Sequence, residues 1–260
     1  MGLAAVLAAA AIAAGPVSYV QSRQQADGGF AEPGGPSAPE LTSWAVLGLR
    51  ARGADAGNAL SYLVAHERGL SSPTSLALVA LTESALGHDA GALLARLSDR
   101  PQAVNEAVWD ILALRQALKP VPRALVTYVL RSQTPSGGFA WARGVRPDSN
   151  DTAFAIQALR SAGVHGRPVT RALSFLRTFQ RRDGGFELVR GRGSDAQSTA
   201  VAIQGFLAAG MKPPPAAFRY LARLRRTDGS YRYSLRYAAT PVWVTSQVLS
   251  ALARKPLPLR

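Results

Sequence analysis

The sequence predicts an all-α fold of six helical hairpins, about twelve helices in all. Two recurrences carry that prediction. An apolar helical stretch recurs six times, led by Thr42, Thr74, Ala107, Thr152, Thr199 and Thr245, at spacings of 32, 33, 45, 47 and 46 residues. An aromatic-led stretch that runs into a glycine turn recurs four times, as Tyr19-VQSRQQADGG-Phe30, Tyr128-VLRSQTPSGG-Phe139, Phe175-LRTFQRRDGG-Phe186 and Tyr220-LARLRRTDGS-Tyr231. A fixed period of this length marks one supersecondary unit used repeatedly. Composition agrees: 260 residues, 47% hydrophobic and 18% charged, suffice for one sizeable core and are too apolar for a disordered chain.

Taken in order, the chain opens with MGLAAVLAAAAIAA, Met1 to Ala14, uncharged and ending in small residues before Gly15-Pro16. This reads as the apolar core and cleavage region of a secretory leader, too short to span a bilayer; an alanine-rich first helix is the other reading. Residues 1–15 are thus set apart from a single domain over 16–260, expected to be exported. No later stretch is long and apolar enough for an integral membrane segment. The partner helices are predicted at Pro16–Gln25, Asn58–Glu67, Ala90–Leu97, Pro122–Gln133, Pro168–Gln180 and Pro213–Arg226, four of them entered through proline. These carry arginine on one face and belong outside. The Thr-led helices are apolar almost all round, with Asp110 as the one charge in their first two turns, and belong inside. The glycine pair supplies positive φ where each outer helix ends, and the aromatic after it folds back on the helix end.

Six hairpins can stack as an open solenoid or close into a ring. The elements Gln24-QA-Asp27-Gly28-G-Phe30, Gln133-TP-Ser136-Gly137-G-Phe139 and Gln180-RR-Asp183-Gly184-G-Phe186 resemble the QxxDGGF (QW-type) repeat of the terpenoid cyclase and protein prenyltransferase superfamily, over residues 16–255. The fourth copy departs from it, with Arg225 at the glutamine position and Tyr231 at the aromatic. The resemblance implies an α6/α6 toroid around a central cavity, and leaves the chemistry open, since one fold hosts many reactions.

Residue content removes several chemistries. There is no cysteine, hence no Cys-ligated zinc, no thiol nucleophile and no internal thioester of the complement type. Prenyltransferases of this superfamily hold zinc through Asp, Cys and His, so zinc-dependent transfer to a protein is not expected, and neither a metal nor a cofactor is assigned. Class II terpenoid cyclases protonate an alkene or epoxide with the middle acid of DxDD. Here Asp148-Ser149-Asn150-Asp151-Thr152-Ala153 resembles that motif with Asn150 at the acid position. A carboxamide has no comparably acidic proton. Asp148 and Asp151 remain the candidate catalytic acids of a class II-like cyclase or isomerase. They are equally read as helix caps, because Asp195 precedes Thr199 by the same four residues as Asp148 precedes Thr152. Glycoside hydrolysis needs two carboxylates across a cleft, for which only Glu106, Asp110 and Asp151 lie on or beside inner helices.

Two residues beyond each inner-helix start stand Trp44, Leu76, Trp109, Phe154, Val201 and Gln247. Trp44, Trp109 and Phe154 can line a pocket for an isoprenoid or simply pack as core. Gln157 and Gln204 are polar groups in apolar helices, suited to a polar ligand or to bonds between helices. The long loops gather on one face of a ring and carry Arg143, Arg146, Arg190, Arg192 and Arg236, an anionic-ligand site or a solvated rim. The formal charge of +14 divides into −1 for residues 1–130 (9 basic, 10 acidic) and +15 for residues 131–260 (21 basic, 6 acidic). No recognised nucleic-acid motif accompanies it, so nucleic acid is not an expected partner. The function expected is capture of an apolar, amphipathic or anionic small molecule, isoprenoid-like or cofactor-like; Ser198-Thr199-Ala200 resembles the inner-helix pattern of cobalamin carriers. A cyclase and a solid interaction scaffold are the alternatives.

Overall fold

The computed structural model describes residues 15–98 and 100–259; the apolar stretch read as a leader lies outside the described residues. The inner helices are α2 (Pro39–Ala51), α4 (Pro73–Ala85), α6 (Val104–Gln116), α8 (Ser149–Ser161), α10 (Ala196–Ala208) and α12 (Pro241–Leu252). The outer ones are α1 (Pro16–Gln21), α3 (Ala59–His66), α5 (Gly91–Leu94), α7 (Arg123–Arg131), α9 (Arg167–Arg177) and α11 (Pro215–Leu224). The inner set is buried on nearly every face and the outer set on one. Outer helices are shorter than the periodicity predicts. In α5 only one turn remains, because Gly91 opens it and Pro101 follows before α6 begins.

Each inner helix packs against the next, α2 on α4, α4 on α6, α6 on α8, α8 on α10 and α10 on α12, and α12 returns to α2. The six hairpins therefore close into an α6/α6 toroid. At the closing seam Gly48 lies so near the Ser246 carbonyl that a methyl group there would collide with it. Glu32, in the first long loop, accepts the backbone N–H groups of Val242 and Trp243 at 2.9 Å each and so caps α12, the last inner helix, which has no side-chain cap of its own.

The repeat residues have mechanical roles. The leading threonine of each complete copy takes the backbone N–H of the turn's final aromatic: Phe30 to Thr42, Phe139 to Thr152, Phe186 to Thr199 and Tyr231 to Thr245, at 2.8–2.9 Å. Gln24 donates to the carbonyls of Gly28 and Ala56, and Gln133 to those of Gly137 and Pro168, tying each turn to the start of the next outer helix. Gly137 sits at φ +94°, with the Arg171 carbonyl 2.7 Å from where a Cβ would stand, so both conformation and space demand glycine. A two-residue antiparallel pairing, Phe186–Glu187 with Ser194–Asp195, shapes the fifth loop. No helix of the described residues is long and apolar enough to cross a membrane.

Candidate functional site

Across the ring axis Trp44 of α2 meets Trp109 of α6 (centroids 5.7 Å apart), Phe154 of α8 (6.1 Å) and Trp243 of α12 (5.9 Å), and Trp109 meets Phe154 at 4.9 Å. These are contact distances for aromatic pairs. The three aromatics that sequence spacing places at one level do converge, but on one another, and they fill the axis at the loop end of the ring. Trp243 completes the cluster and escapes a reading tied to the second position of each helix. It lies one turn before Gln247, on the same face, and the spacing of four residues is the signal for it.

At the opposite end the chain folds back into its own ring. The Leu257 N–H donates to Gln157 Oε1 at 2.8 Å, Gln204 Nε2 to the Lys255 carbonyl at 3.3 Å, and Gln116 exchanges two bonds with the Leu259 backbone at 2.7 and 3.1 Å. Gln157 and Gln204 thus hold residues 255–259 of their own chain, and Leu257 is buried beneath them.

Asp148 caps α8, accepting the Asp151 N–H at 2.8 Å, and Asp195 caps α10, accepting the Ser198 N–H at 2.7 Å and its hydroxyl at 2.9 Å. Burial raises the pKa of both, against the pull of these hydrogen bonds. The Asp151 carboxyl, half-buried and beside Asp148, is pushed well above the usual carboxylate range by desolvation and by the neighbouring acid. Asp110 is likewise pushed up to about 8 by burial and by Glu106, and neither of its oxygens meets a donor.

The rim opens into a cleft of about 610 Å³ between the long loops that lead into α10 and α12, lined by Arg181, Arg192 and Arg236, by Tyr220, Tyr233 and Tyr237 and by the carboxylates of Asp183 and Asp195. Its walls are fixed from below. Glu187 accepts the N–H groups of Gly191 and Gly193 at 3.0 and 3.2 Å and pairs with Arg181 at 3.4 Å. Tyr220 donates to the Ser194 carbonyl at 2.6 Å, and the Ala196 N–H to that of Tyr233 at 2.7 Å. Arg192 and Arg236 therefore reach the cleft as the loop charge predicts, joined by Arg181, which lies in the repeat motif and draws no notice as a rim residue. Arg143 and Arg190 instead turn back on their own hairpins. Arg143 lies over the Tyr128 ring at 4.2 Å and donates to Ser132; Arg190 lies over Phe179 at 5.2 Å and donates to Thr178. Arg146 is exposed on the fourth loop, apart from the cleft.

Residues 107–235 match the prenyltransferase alpha-alpha toroid domain family. No curated protein sequence matches the chain. Among solved structures, a point variant of the type II terpene cyclase MstE from Scytonema, in complex with its substrate geranylgeranyl dihydroxybenzoate, is similar with a TM-score of 0.71 at 12% identity over 92% of this chain and 95% of that one. The ent-copalyl diphosphate synthase from Streptomyces platensis is similar at 0.60 and 20% identity over 84% of this chain, which spans 51% of that protein. A glycosidase is similar at 0.67 and 15% identity, with 92% and 94% covered. At these identities the likeness is one of fold. Residues 107–235 carry the prenyltransferase alpha-alpha toroid domain, and the closed ring of hairpins with its repeated glutamine and glycine turns extends the same α/α toroid fold over the described residues.

Proposed function

We propose that the chain is a ligand-binding toroid that takes an anionic or amphipathic small molecule, of the isoprenoid diphosphate kind, at its rim. The observation that carries this is the 610 Å³ cleft, where Arg192 and Arg236, with Arg181 held on Glu187, stand beside three tyrosines and outnumber the two carboxylates of the lining, Asp183 and Asp195. Guanidinium groups bind phosphate oxygens bidentately, and tyrosine rings cover an apolar chain. The terpene cyclases of the same fold lend the ligand class, and Asn150 at the acid position favours binding over cyclisation. The apolar first residues suit an export leader, which N-terminal sequencing of the secreted protein tests.

The test is calorimetric titration with geranylgeranyl diphosphate, inorganic diphosphate and geranylgeraniol, on the wild type and on the Arg192→Ala/Arg236→Ala double variant. Binding of the diphosphates that the double variant loses supports the cleft. Equal binding by both proteins removes it, and no binding of any of the three leaves the scaffold reading. A second reading, a class II-like cyclase, is favoured by the raised pKa that desolvation and the Asp148 neighbour give Asp151, since a proton donor must hold its proton at working pH. Its test is gas chromatography of extracts after incubation with polyprenyl substrates. A cyclic product that disappears in Asp151→Asn establishes it.

A further inference from the structure

Far from the rim, Glu83 stands near the end of α4, fully buried, with neither carboxylate oxygen meeting a hydrogen-bond donor. Two further groups converge on it: Glu67, in the 3-10 turn that follows α3, and His88, in the turn after α4. One ligand atom from each lies within 4.8 Å of the others. None of the three forms an ion pair with a basic or acidic group among the described residues. The surrounding backbone is held independently of any ion. Arg96 donates to the Glu67 and Leu70 carbonyls at 2.8 and 2.5 Å, and the His88 N–H donates to the Glu83 carbonyl at 3.0 Å.

We propose that Glu67, Glu83 and His88 form a site for a divalent metal ion of the zinc class, which fastens the outer turn after α3 to the end of inner helix α4. Two carboxylates offset the charge of a divalent ion, and an unpartnered buried carboxylate is otherwise costly to keep. The imidazole nitrogen selects ions of borderline softness over magnesium and calcium, which take all-oxygen sets. Metal–ligand bonds of about 2.0–2.2 Å require the three atoms to draw closer than their present limit. His88 is exposed and Glu67 half-buried, so both side chains have freedom to move in, whereas Glu83 is fixed. His88, exposed beside the buried Glu83, gives the ion its contact with solvent. Three protein ligands leave a fourth position for water. The site lies on elements that the rim cleft does not use and is independent of the ligand-binding reading.

The experiment uses the full chain, freed of metal with EDTA and titrated with ZnCl2 by calorimetry, with thermal denaturation in parallel. One equivalent of zinc is expected to bind and to raise Tm, since an ion bound only by the native state stabilises it. Glu83→Gln and His88→Ala, each shown folded by circular dichroism, are expected to weaken binding roughly tenfold or more, at least the loss that disturbing a supporting residue causes. Asp89→Asn, beside the trio and outside it, is expected to bind as the wild type does. Absence of binding, binding unchanged in Glu83→Gln, or calcium or magnesium preferred to zinc overturns the proposal. Where Glu83→Gln fails to fold, the exposed His88 decides: unchanged zinc affinity in His88→Ala overturns it equally.

Discussion

Asp110 shows how a single buried acid sets a pH dependence for the whole fold. Its pKa is pushed up to about 8 from the usual 3.8, so near pH 5 the native chain keeps a proton that the unfolded chain has lost. The stability this proton confers is full below the unfolded pKa and is lost as the pH rises through the native value. Asp110→Asn removes the titrating group and keeps its shape. Urea denaturation of the variant at pH 5 and pH 8 should show a gap between the two smaller than the wild type's by roughly 2–4 kcal/mol, from about 1.4 kcal/mol per pKa unit. An unchanged gap would mean that the carboxyl titrates normally. Trp109 is the opposite kind of residue, apolar and in contact across the axis with Trp44 and Phe154. Trp109→Ala removes a half-buried ring from this cluster, and a loss of about 1.5–3 kcal/mol in the same denaturation is expected, below the ~3–5 kcal/mol of a fully buried ring. A loss under about 1 kcal/mol would show that the rings repack, against the usual cost of such truncations.

At the scale of the element, the repeat explains what the sequence discloses and what it hides. The leading threonines and the Gln and Gly positions were legible because each makes a bond inside its own hairpin or with the next, so the chemistry recurs wherever the residues recur. The register of the four inner helices that follow a glycine turn comes from them, and that of α4 and α6 from the apolar stretch alone. The rim arginines were only half legible. A loop arginine reaches the cleft or folds over its own helix according to whether an aromatic stands beneath it, as Tyr128 does for Arg143, and no single-sequence pattern encodes that contact. Trp243 and the trio around Glu83 were missed because they join residues from non-equivalent positions of different repeats, which periodicity does not relate. Gly48 tests the closure of the ring at the same scale. Alanine is the better helix former by about 1 kcal/mol. Its methyl group would nonetheless strike the Ser246 carbonyl, and overpacking of such a contact costs about 1–3 kcal/mol. Gly48→Ala is therefore expected to destabilise, whereas Gly35→Ala, with its nearest neighbour at 3.5 Å, should not. A more stable Gly48→Ala protein would show that the seam between α2 and α12 is loose.

Seen whole, the ring is closed in three directions: around its circumference where α12 meets α2, at the loop end by four aromatic rings, and at the far end by residues 255–259. The last closure joins distant parts of the chain, since Gln157 and Leu257 are 100 residues apart and Gln116 and Leu259 are 143 apart. It relies on glutamine amides buried among apolar helices, and such groups are costly when unpaired: a buried amide that loses its partner forfeits about 1–3 kcal/mol. Removing residues 255–260 would strip the partners from Gln157 and Gln116 and expose the pocket that Leu257 fills. The truncated chain should be less stable by several such terms. Hydrogen exchange should then rise first at the C-terminal turns of α6, α8 and α10, where those residues are seated, while the loop ends of the same helices stay protected. Gln157→Leu offers the gentler comparison, because it removes the acceptor of the Leu257 N–H and leaves the segment in place. Its exchange should quicken at residues 255–259 alone. If truncation accelerates exchange uniformly around the ring, the far end is no separate closure and the toroid unfolds as a single unit.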